Sequence, residues 1–490
     1  MRRRDFLFAA VGSAGLLGAS GLLDRASAYA SILAEASAHV YTRRNVYCLT
    51  ATSPEIMAYK KAIGLMRALP ATNAESWLAQ ANIHGAFGPP ARMIANASQH
   101  NQTFFLSWHR MYVYFFERIV RKQFGTSSFA LPYWGYAPAG RRDLPPMFRT
   151  PTAGNALYDG TRSAAINAGT PITASLVDSG AALAQTSFWN FTNTLNGTPH
   201  GAVHIACGGN MTQFATAGQD PIFWLHHCNI DRLWEVWLDS GGGRVDPTGD
   251  NTWMTTSFDF YDENGATVSL TGAQVVDIAC QLRYQYENSL CGRRVVLDPD
   301  WWKHLTSLRL PAAAVTAKLD TLGRRPALPD SVLVAQSLAA LRLGGKPVET
   351  TLPITDEGKA RIAALERDPQ GGARIDLVLD GVTVDGTPAA AYEIYIDLPA
   401  GAAADYRGPH FVGILNLFGA STRDAHQDKR EAQIVPLTLA FLQLRAARLW
   451  SEDSVRVTFV PRGLTEGADP AKRLGAATPV TIGRVTVVVR

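Results

Sequence analysis

A chain of 490 residues has room for two to four domains at roughly 100–200 residues each, and for a large buried core. With 47% apolar and 18% charged residues, it reads as globular rather than disordered. The net charge is 46 − 42 = +4, and the first thirty residues, with four Arg and two Asp, supply half of it; the basic excess or stripe of a nucleic-acid-binding protein is absent, so no nucleic-acid partner is expected. Beyond the N-terminus no apolar run reaches the ~18–20 residues of a membrane-spanning helix. Five Cys, at 48, 207, 228, 280 and 291, are too few and too scattered for a disulfide scaffold or a Cys-based zinc site. Their odd number leaves at least one thiol free unless it pairs with another chain.

Residues 1–30 read as an address. Arg3-Arg4-Asp5-Phe6-Leu7 precedes a short, Gly/Ala-rich apolar stretch, and Ala26-Ser27-Ala28 and Ala28-Tyr29-Ala30 offer small residues at cleavage spacing. This resembles a bacterial twin-arginine signal peptide, which implies the twin-arginine export machinery as a partner, a periplasmic or secreted location, and no membrane span once the signal is removed. A short membrane anchor is the alternative.

Residues 31–295 read as mainly helical. Glu75–Ala81 predicts a short helix that ends at His84. Ser107 is expected to cap a helix through Phe124, with His109, Tyr112, Phe116 and Val120 on one stripe. Thr198-Pro199 and Asp220-Pro221 each read as an N-cap followed by proline in the first helical position. These starts place His109, His200 and His227 in the first turns of three helices. Residues 296–340 read as a linker. From 341 to 490 short alternating or β-branched runs, such as Ile375–Asp380, Tyr392–Ile396, Val455–Phe459 and Val485–Val487, predict a β-sandwich-like C-terminal domain. The expected fold is therefore a mainly α four-helix-bundle core followed by that β-rich domain.

Seven of the eleven His fall in two clusters: His84, His100 and His109, then His200, His204, His226 and His227. His200 and His204, four apart behind a helix start, share a face. His226 is offset from His227 by about 100° around the helix, so one is read as a ligand and the other as structural. Asp231, one turn beyond His227, is placed to accept a ring N–H and orient an imidazole. Two three-His groups without carboxylate or thiolate suit copper, zinc, iron or nickel. Two such groups on neighbouring helices suggest a dinuclear site held between bundle helices. Copper is favoured, because paired zinc hydrolase sites normally include a bridging Asp or Glu.

Asn82-Ile83-His84-Gly85 and His100-Asn101-Gln102-Thr103-Phe104-Phe105-Leu106-Ser107-Trp108-His109-Arg110 resemble the copper-A half of the tyrosinase/polyphenol oxidase family. Thr198-Pro199-His200-Gly201-Ala202-Val203-His204, with Asp220-Pro221-Ile222-Phe223-Trp224-Leu225-His226-His227-Cys228-Asn229-Ile230-Asp231-Arg232-Leu233-Trp234, resembles its copper-B half. The likeness spans about residues 40–300 and continues at Tyr284-Gln285-Tyr286, similar to the tyrosine motif that closes the family's core. Asp300-Trp301-Trp302 and the later β-rich region resemble the C-terminal extension of plant-type members, whose family role is to cover the pocket. The resemblance implies two copper ions as a dinuclear, O2-bridged pair: one on His84, His100 and His109, the other on His200, His204 and His227. It further implies O2 and a small phenol as partners, and oxidation of o-diphenols or o-aminophenols to o-quinones. A haemocyanin-like O2 carrier, or a copper-binding protein without turnover, are the alternatives.

Three positions depart from familiar members. Plant members have a Cys, thioether-linked to the second ligand, where this chain has Gly88, so a free and more mobile His100 ring is expected. A Glu thought to hold a water for monophenol deprotonation is replaced by Asn196, and an amide is no carboxylate base. Gly201 stands where efficient monophenol hydroxylases often have Asn. Phe214 occupies the place of an aromatic gate over the second copper, with core packing as its alternative. Together these predict weak monophenol hydroxylation.

Overall fold

The computed structural model describes residues 40–85, 99–100, 103–287, 289–290, 293–294, 331–367, 373–421, 432–474 and 480–490. The expected signal segment, Gly88, Cys291, most of the 296–340 linker including Asp300-Trp301-Trp302, His304 and His426 lie outside the described residues.

The helical region is built on α1 (Pro54–Ala68), α2 (Trp77–Asn82), α3 (Phe105–Phe124), α4 (Phe188–Leu195), α5 (Ala202–Cys207) and α6 (Pro221–Asp239). In α1 the buried residues Ile56, Tyr59, Ile63 and Met66 recur at helical spacing, one stripe facing inward. In α3 every residue from Phe105 to Val120 is buried, which makes it the central helix; α1 and α6 both pack on it. Phe116 of α3 and Trp224 of α6 stack at 3.4 Å between centroids. Trp108, Trp224, Trp234 and Trp237 are fully buried, as core residues. Gly125 stops α3 in the left-handed conformation at φ 75°, where glycine carries no Cβ penalty.

The start signals fared unequally. Asp220 caps α6 through its carboxylate, which accepts from Ile222 N at 3.0 Å, and Pro221 takes the first helical position. The helix α3 begins at Phe105, two residues before the expected Ser107 cap, whose hydroxyl donates back to Phe104 O. Thr198-Pro199 opens no helix. Thr198 is extended (φ −141°, ψ 125°) inside a wide turn, Asn196–Gly201, that joins α4 to α5, as the residue before a proline prefers. His200 therefore sits in that turn, and His227 in the second turn of α6 rather than the first.

Strand β1 (Tyr41–Arg43) pairs in parallel with β2 (Tyr284–Tyr286) and brings Arg43 into a buried charge cluster. Asp231 is its hub: Oδ1 accepts from Arg110 Nε at 2.5 Å, and Oδ2 accepts from the Tyr284 and Tyr286 hydroxyls, each at 2.5 Å. Arg43 Nε donates to Glu117 Oε2 at 2.9 Å, and Arg110 Nη2 to Glu235 Oε1 at 2.8 Å. Burial alone would raise the Asp231 carboxyl, but Arg110 and Arg43 together with the two phenols hold it below its usual range. Asp231 was expected to orient an imidazole. It turns instead to these arginines and tyrosines, since the ring nitrogens find backbone carbonyls nearer to hand. Arg232 donates to Asn229 Oδ1 and covers the Tyr133 ring.

The C-terminal region holds β3 (Val332–Gln336), β4 (Val348–Pro353), α7 (Asp356–Arg367), β5 (Ile375–Asp380), β6 (Ala391–Ile396), β7 (Phe411–Ile414), β8 (Gln433–Pro436), α8 (Thr438–Ala446), β9 (Ser454–Arg462) and β10 (Arg484–Val489). Two four-stranded antiparallel sheets run β8-β5-β10-β3 and β7-β6-β9-β4. Their inward residues, among them Leu377, Val487, Ile394 and Phe459, join one apolar cluster with Tyr112 and Trp224 of the helical region. Beyond β7 the chain leaves the sheet as Leu415–Gly419 and enters the helical region, where Gly419 N donates to Thr212 O at 3.2 Å.

Removing the hub carboxylate leaves two buried guanidinium groups short of a counter-charge, a loss of typically about 3–5 kcal/mol. Asp231→Ala is expected to lower the stability of the full chain by that amount in denaturant unfolding. A change below about 1 kcal/mol would mean that the cluster does not hold the helices together.

Candidate metal centre

Each half of the site is delivered by a different pair of supports. His84 follows the C-terminus of α2, whose N-terminus is fixed by Ser76 Oγ accepting from Ala79 N at 3.1 Å. His109 lies on α3, His227 on α6, His204 on α5 and His200 in the turn before α5. The rings of His84, His100 and His109 lie 4.9–5.5 Å apart by centroid. Those of His200, His204 and His227 lie 4.7–5.4 Å apart. The two triads meet where His109 and His227 stack at 4.6 Å with an interplanar angle of 11°.

The hydrogen bonds of these rings decide which nitrogen faces inward. Nδ1 of His84 donates to Phe214 O (2.9 Å), that of His109 to Phe105 O (2.8 Å), that of His204 to Met211 O (2.8 Å) and that of His227 to Phe223 O (3.0 Å). Nδ1 of His200 lies 3.2 Å from Asn196 O and 3.0 Å from Asn196 Oδ1. A carbonyl only accepts, so Nδ1 carries the proton and Nε2 is left as a lone pair. Burial holds all of these rings well below the ordinary imidazole range, His84 down to about 4, and the neighbouring rings of the cluster lower several of them further. They are therefore neutral near pH 7. The Nε2 atoms of His84 and His109 face each other at 3.4 Å, two lone pairs that only a shared cation reconciles. Nε2 of His200, His204 and His227 is buried with no hydrogen-bond partner. Unmet inward lone pairs on neutral imidazoles are what a soft-to-borderline metal ion requires.

Grouped by nitrogen proximity, within 4.8 Å, the ligand-capable residues form three sets: His84, His100 and His109; His109, His200 and His227; and His200, His204 and His226. All are imidazoles. His226, read as structural, thus lies inside the cluster. Its Nδ1 meets the Tyr136 hydroxyl at 2.9 Å, a residue for which the sequence carried no signal, and its Nε2, like those of His200, His204 and His227, is buried with no hydrogen-bond partner.

The pocket residues are placed as follows. Asn196 spends its whole amide on the site: Nδ2 donates to His100 O at 2.9 Å while Oδ1 faces His200 Nδ1. Phe214, expected over the second triad, stacks on His100 of the first, 4.3 Å between centroids, because its own carbonyl is tied to His84. Gly201 is small for a reason on the C-terminal side: a Cβ there would lie 2.1 Å from Asn416 Oδ1. Asn416 Nδ2 donates to Asn196 O at 3.2 Å. Two residues on, Phe418 lies flat on His204, 3.8 Å between centroids at 12°, with its ring 5.5 Å from those of both His100 and His200 and 4.7 Å from Phe214. Phe418 is 1% exposed and fills the space between the triads. Neither residue was found from sequence, since the segment is short, lacks periodicity and lies over 200 residues from the histidines it touches. Cys207 and Cys228 are buried thiols, neither grouped with the imidazoles.

Residues 74–167 and 153–240 match the family described as the common central domain of tyrosinase, and residues 247–294 the polyphenol oxidase middle domain. Residues 330–490 match a domain of unknown function, DUF7868. A chloroplastic polyphenol oxidase of Malus domestica is 29% identical over 457 residues, 82% of this chain and 72% of that one. A tyrosinase of Hahella sp. (strain CCB-MM4) is 29% identical over 485 residues, 86% and 95% of the two chains. The fold is similar to that of latent apple tyrosinase, with a TM-score of 0.59 at 24% identity over 93% of this chain and 98% of that one. It is also similar to recombinantly expressed latent aurone synthase (polyphenol oxidase), at 0.61 and 21% over 93% and 90%. On its histidine motifs, its dinuclear arrangement of imidazoles and these likenesses, the chain belongs to the tyrosinase/polyphenol oxidase family of type 3 dicopper oxidoreductases.

Proposed function

We propose that the protein is an exported copper oxidase that uses O2 to convert o-diphenols or o-aminophenols to o-quinones, with weak monophenol hydroxylation, and that its C-terminal region covers the site. The observation that carries this reading is the convergence of neutral imidazoles whose Nε2 lone pairs face one another. His84, His100 and His109 hold one copper and His200, His204 and His227 the other. His227 is preferred to His226 because its Nδ1 is fixed by a backbone carbonyl, as in His84, His109 and His204. When bound, a copper pair would supply the O2 activation and two-electron redox chemistry of the reaction. The protein keeps the pocket dry, fixes the ring tautomers and decides which phenols arrive.

Diphenol oxidation releases two relatively acidic protons, whereas monophenol hydroxylation needs a phenolate made on the spot. The Asn196 amide is committed at both ends and offers no base. Loss of a general base commonly costs on the order of 10²–10⁴-fold. The segment at 1–30 supports twin-arginine export, and among the described residues no helix is long and apolar enough to cross a membrane. Phe418 also lends support to the O2-carrier alternative, because a carrier blocks access of phenols. The helical unit to 295 read from sequence is proposed with the cover, whereas the β-rich unit expected from 341 begins earlier, since β3 (Val332–Gln336), inside the expected linker, pairs with β10.

Three outcomes test this reading. Copper-loaded protein should contain two coppers per chain by metal analysis, His227→Ala should lose mainly one, and His226→Ala should keep both. One equivalent in the wild type, or tighter retention of zinc than of copper, would overturn the assignment. Catechol turnover should exceed tyrosine turnover by about 10²–10⁴-fold; equal rates would show that a base is present after all. Burying a Phe side chain is worth about 1.5–3 kcal/mol, so Phe418→Gly should shift the balance toward the open pocket by about 10- to 100-fold. Catechol oxidation should rise accordingly. A Phe418→Gly protein that binds O2 reversibly yet leaves catechol untouched would favour the carrier.

A further inference from the structure

Asn196 faces both halves of the site, and its two ends make different demands. His100 O can only accept, so the nitrogen end of the amide must point to it, at 2.9 Å. That choice leaves Oδ1 toward the His200 ring, 3.0 Å from Nδ1, and an oxygen there requires Nδ1 to be the protonated nitrogen. The orientation of one side-chain amide thus sets the tautomer of a second-triad ring by way of a first-triad backbone carbonyl. His200 keeps a second acceptor in Asn196 O, at 3.2 Å, so the nitrogen end is the half with no substitute within the residue. No carboxylate can play this part, since an ionised Asp or Glu has no proton to donate.

We propose that Asn196 is a positioning residue that straps the first metal site to the second, by holding the His100 backbone and the His200 ring with the two ends of one amide. The proposal rests on the dicopper reading for its role in the reaction, but the strap itself consists of protein atoms alone. It also goes beyond the simpler view of position 196 as only a place where a base is missing. On that simpler view Asn196→Glu gains monophenol hydroxylation and leaves copper retention alone; under the strap it loosens copper.

The test compares wild type, Asn196→Asp and Asn196→Leu as full chains, by titrating copper out with a Cu(I)-selective chelator. Asp is isosteric, keeps an acceptor for His200 and lacks the donor for His100. It should retain one copper as the wild type does and release the other about tenfold more readily, the scale of one lost hydrogen bond. Leu should weaken the same copper at least as much. Asn196→Gln, which restores a donor and an acceptor on a longer stem, should recover part of the loss. Two coppers held as tightly in Asn196→Asp as in the wild type would overturn the strap. Metal-free protein with ¹³C-labelled histidine gives a readout independent of copper. The ring signals of His100 and His200, assigned through His100→Ala and His200→Ala, should both move in Asn196→Asp while that of His84 stays. Movement of the His200 signal alone would overturn the strap even if copper binding fails, and a wild type that binds fewer than two coppers would overturn the dicopper reading without touching these signals.

Discussion

Everything at the centre of this molecule depends on where five imidazole protons are. Burial removes the option of charging the rings, and carbonyls or an amide oxygen at Nδ1 remove the option of the other tautomer. What remains is a set of lone pairs aimed at one another in an apolar space, an arrangement that is unfavourable until a cation enters. Two of the carbonyls come from the ring's own helix, four residues back, Phe105 O for His109 and Phe223 O for His227. Such back-bonding lets a helix orient a ligand without help from any other part of the chain. His200 has Asn196 O four residues back within a wide turn, while His84 and His204 borrow carbonyls from other segments, Phe214 O and Met211 O, so the conformation of those segments and metal geometry become one problem.

The helices that carry the rings are held by a second set of buried charges, separate from the histidines. Arg43 arrives on a strand from the start of the described chain, Arg110 from α3 and Asp231 from α6, with Tyr284 and Tyr286 closing from the far end of the helical region. Because the partners are so distant in sequence, the cluster fixes the register of α3 against α6, and with it the meeting of His109 and His227. Buried ion pairs of this kind contribute little net stability when complete and cost much when broken; their value here is in specifying a single arrangement.

The parts legible in sequence were those written in local spacing. The histidine motifs, the Asp220-Pro221 start of α6 and the alternating strands β5, β6, β9 and β10 all depend on residues a few positions apart. The misreadings share a different origin. Asp231 has helical spacing from His227, but spacing does not reveal that two arginines and two tyrosines from elsewhere compete for its oxygens. Thr198-Pro199 has the composition of a helix start and the conformation of a wide turn, because the preceding helix runs straight into it. Phe214 was assigned to the wrong triad since a stacking partner is a matter of tertiary placement. Gly201 looked like a lost side chain and is a vacancy kept for Asn416.

The ring of Phe418 is a phenol without its hydroxyl, it lies flat on the His204 imidazole, and it is attached to the protein by its own backbone. A tethered group meets its site at an effective concentration set by the connecting chain, commonly millimolar for short flexible links, and dilution of the protein does not change that figure. On the proposed function, Phe418 is then a built-in competitor whose strength is the same in a test tube and in a crowded compartment. On that proposal free phenols would contend with it by concentration, whereas cleavage of the chain or detachment of the β-rich region would abolish the contest at once.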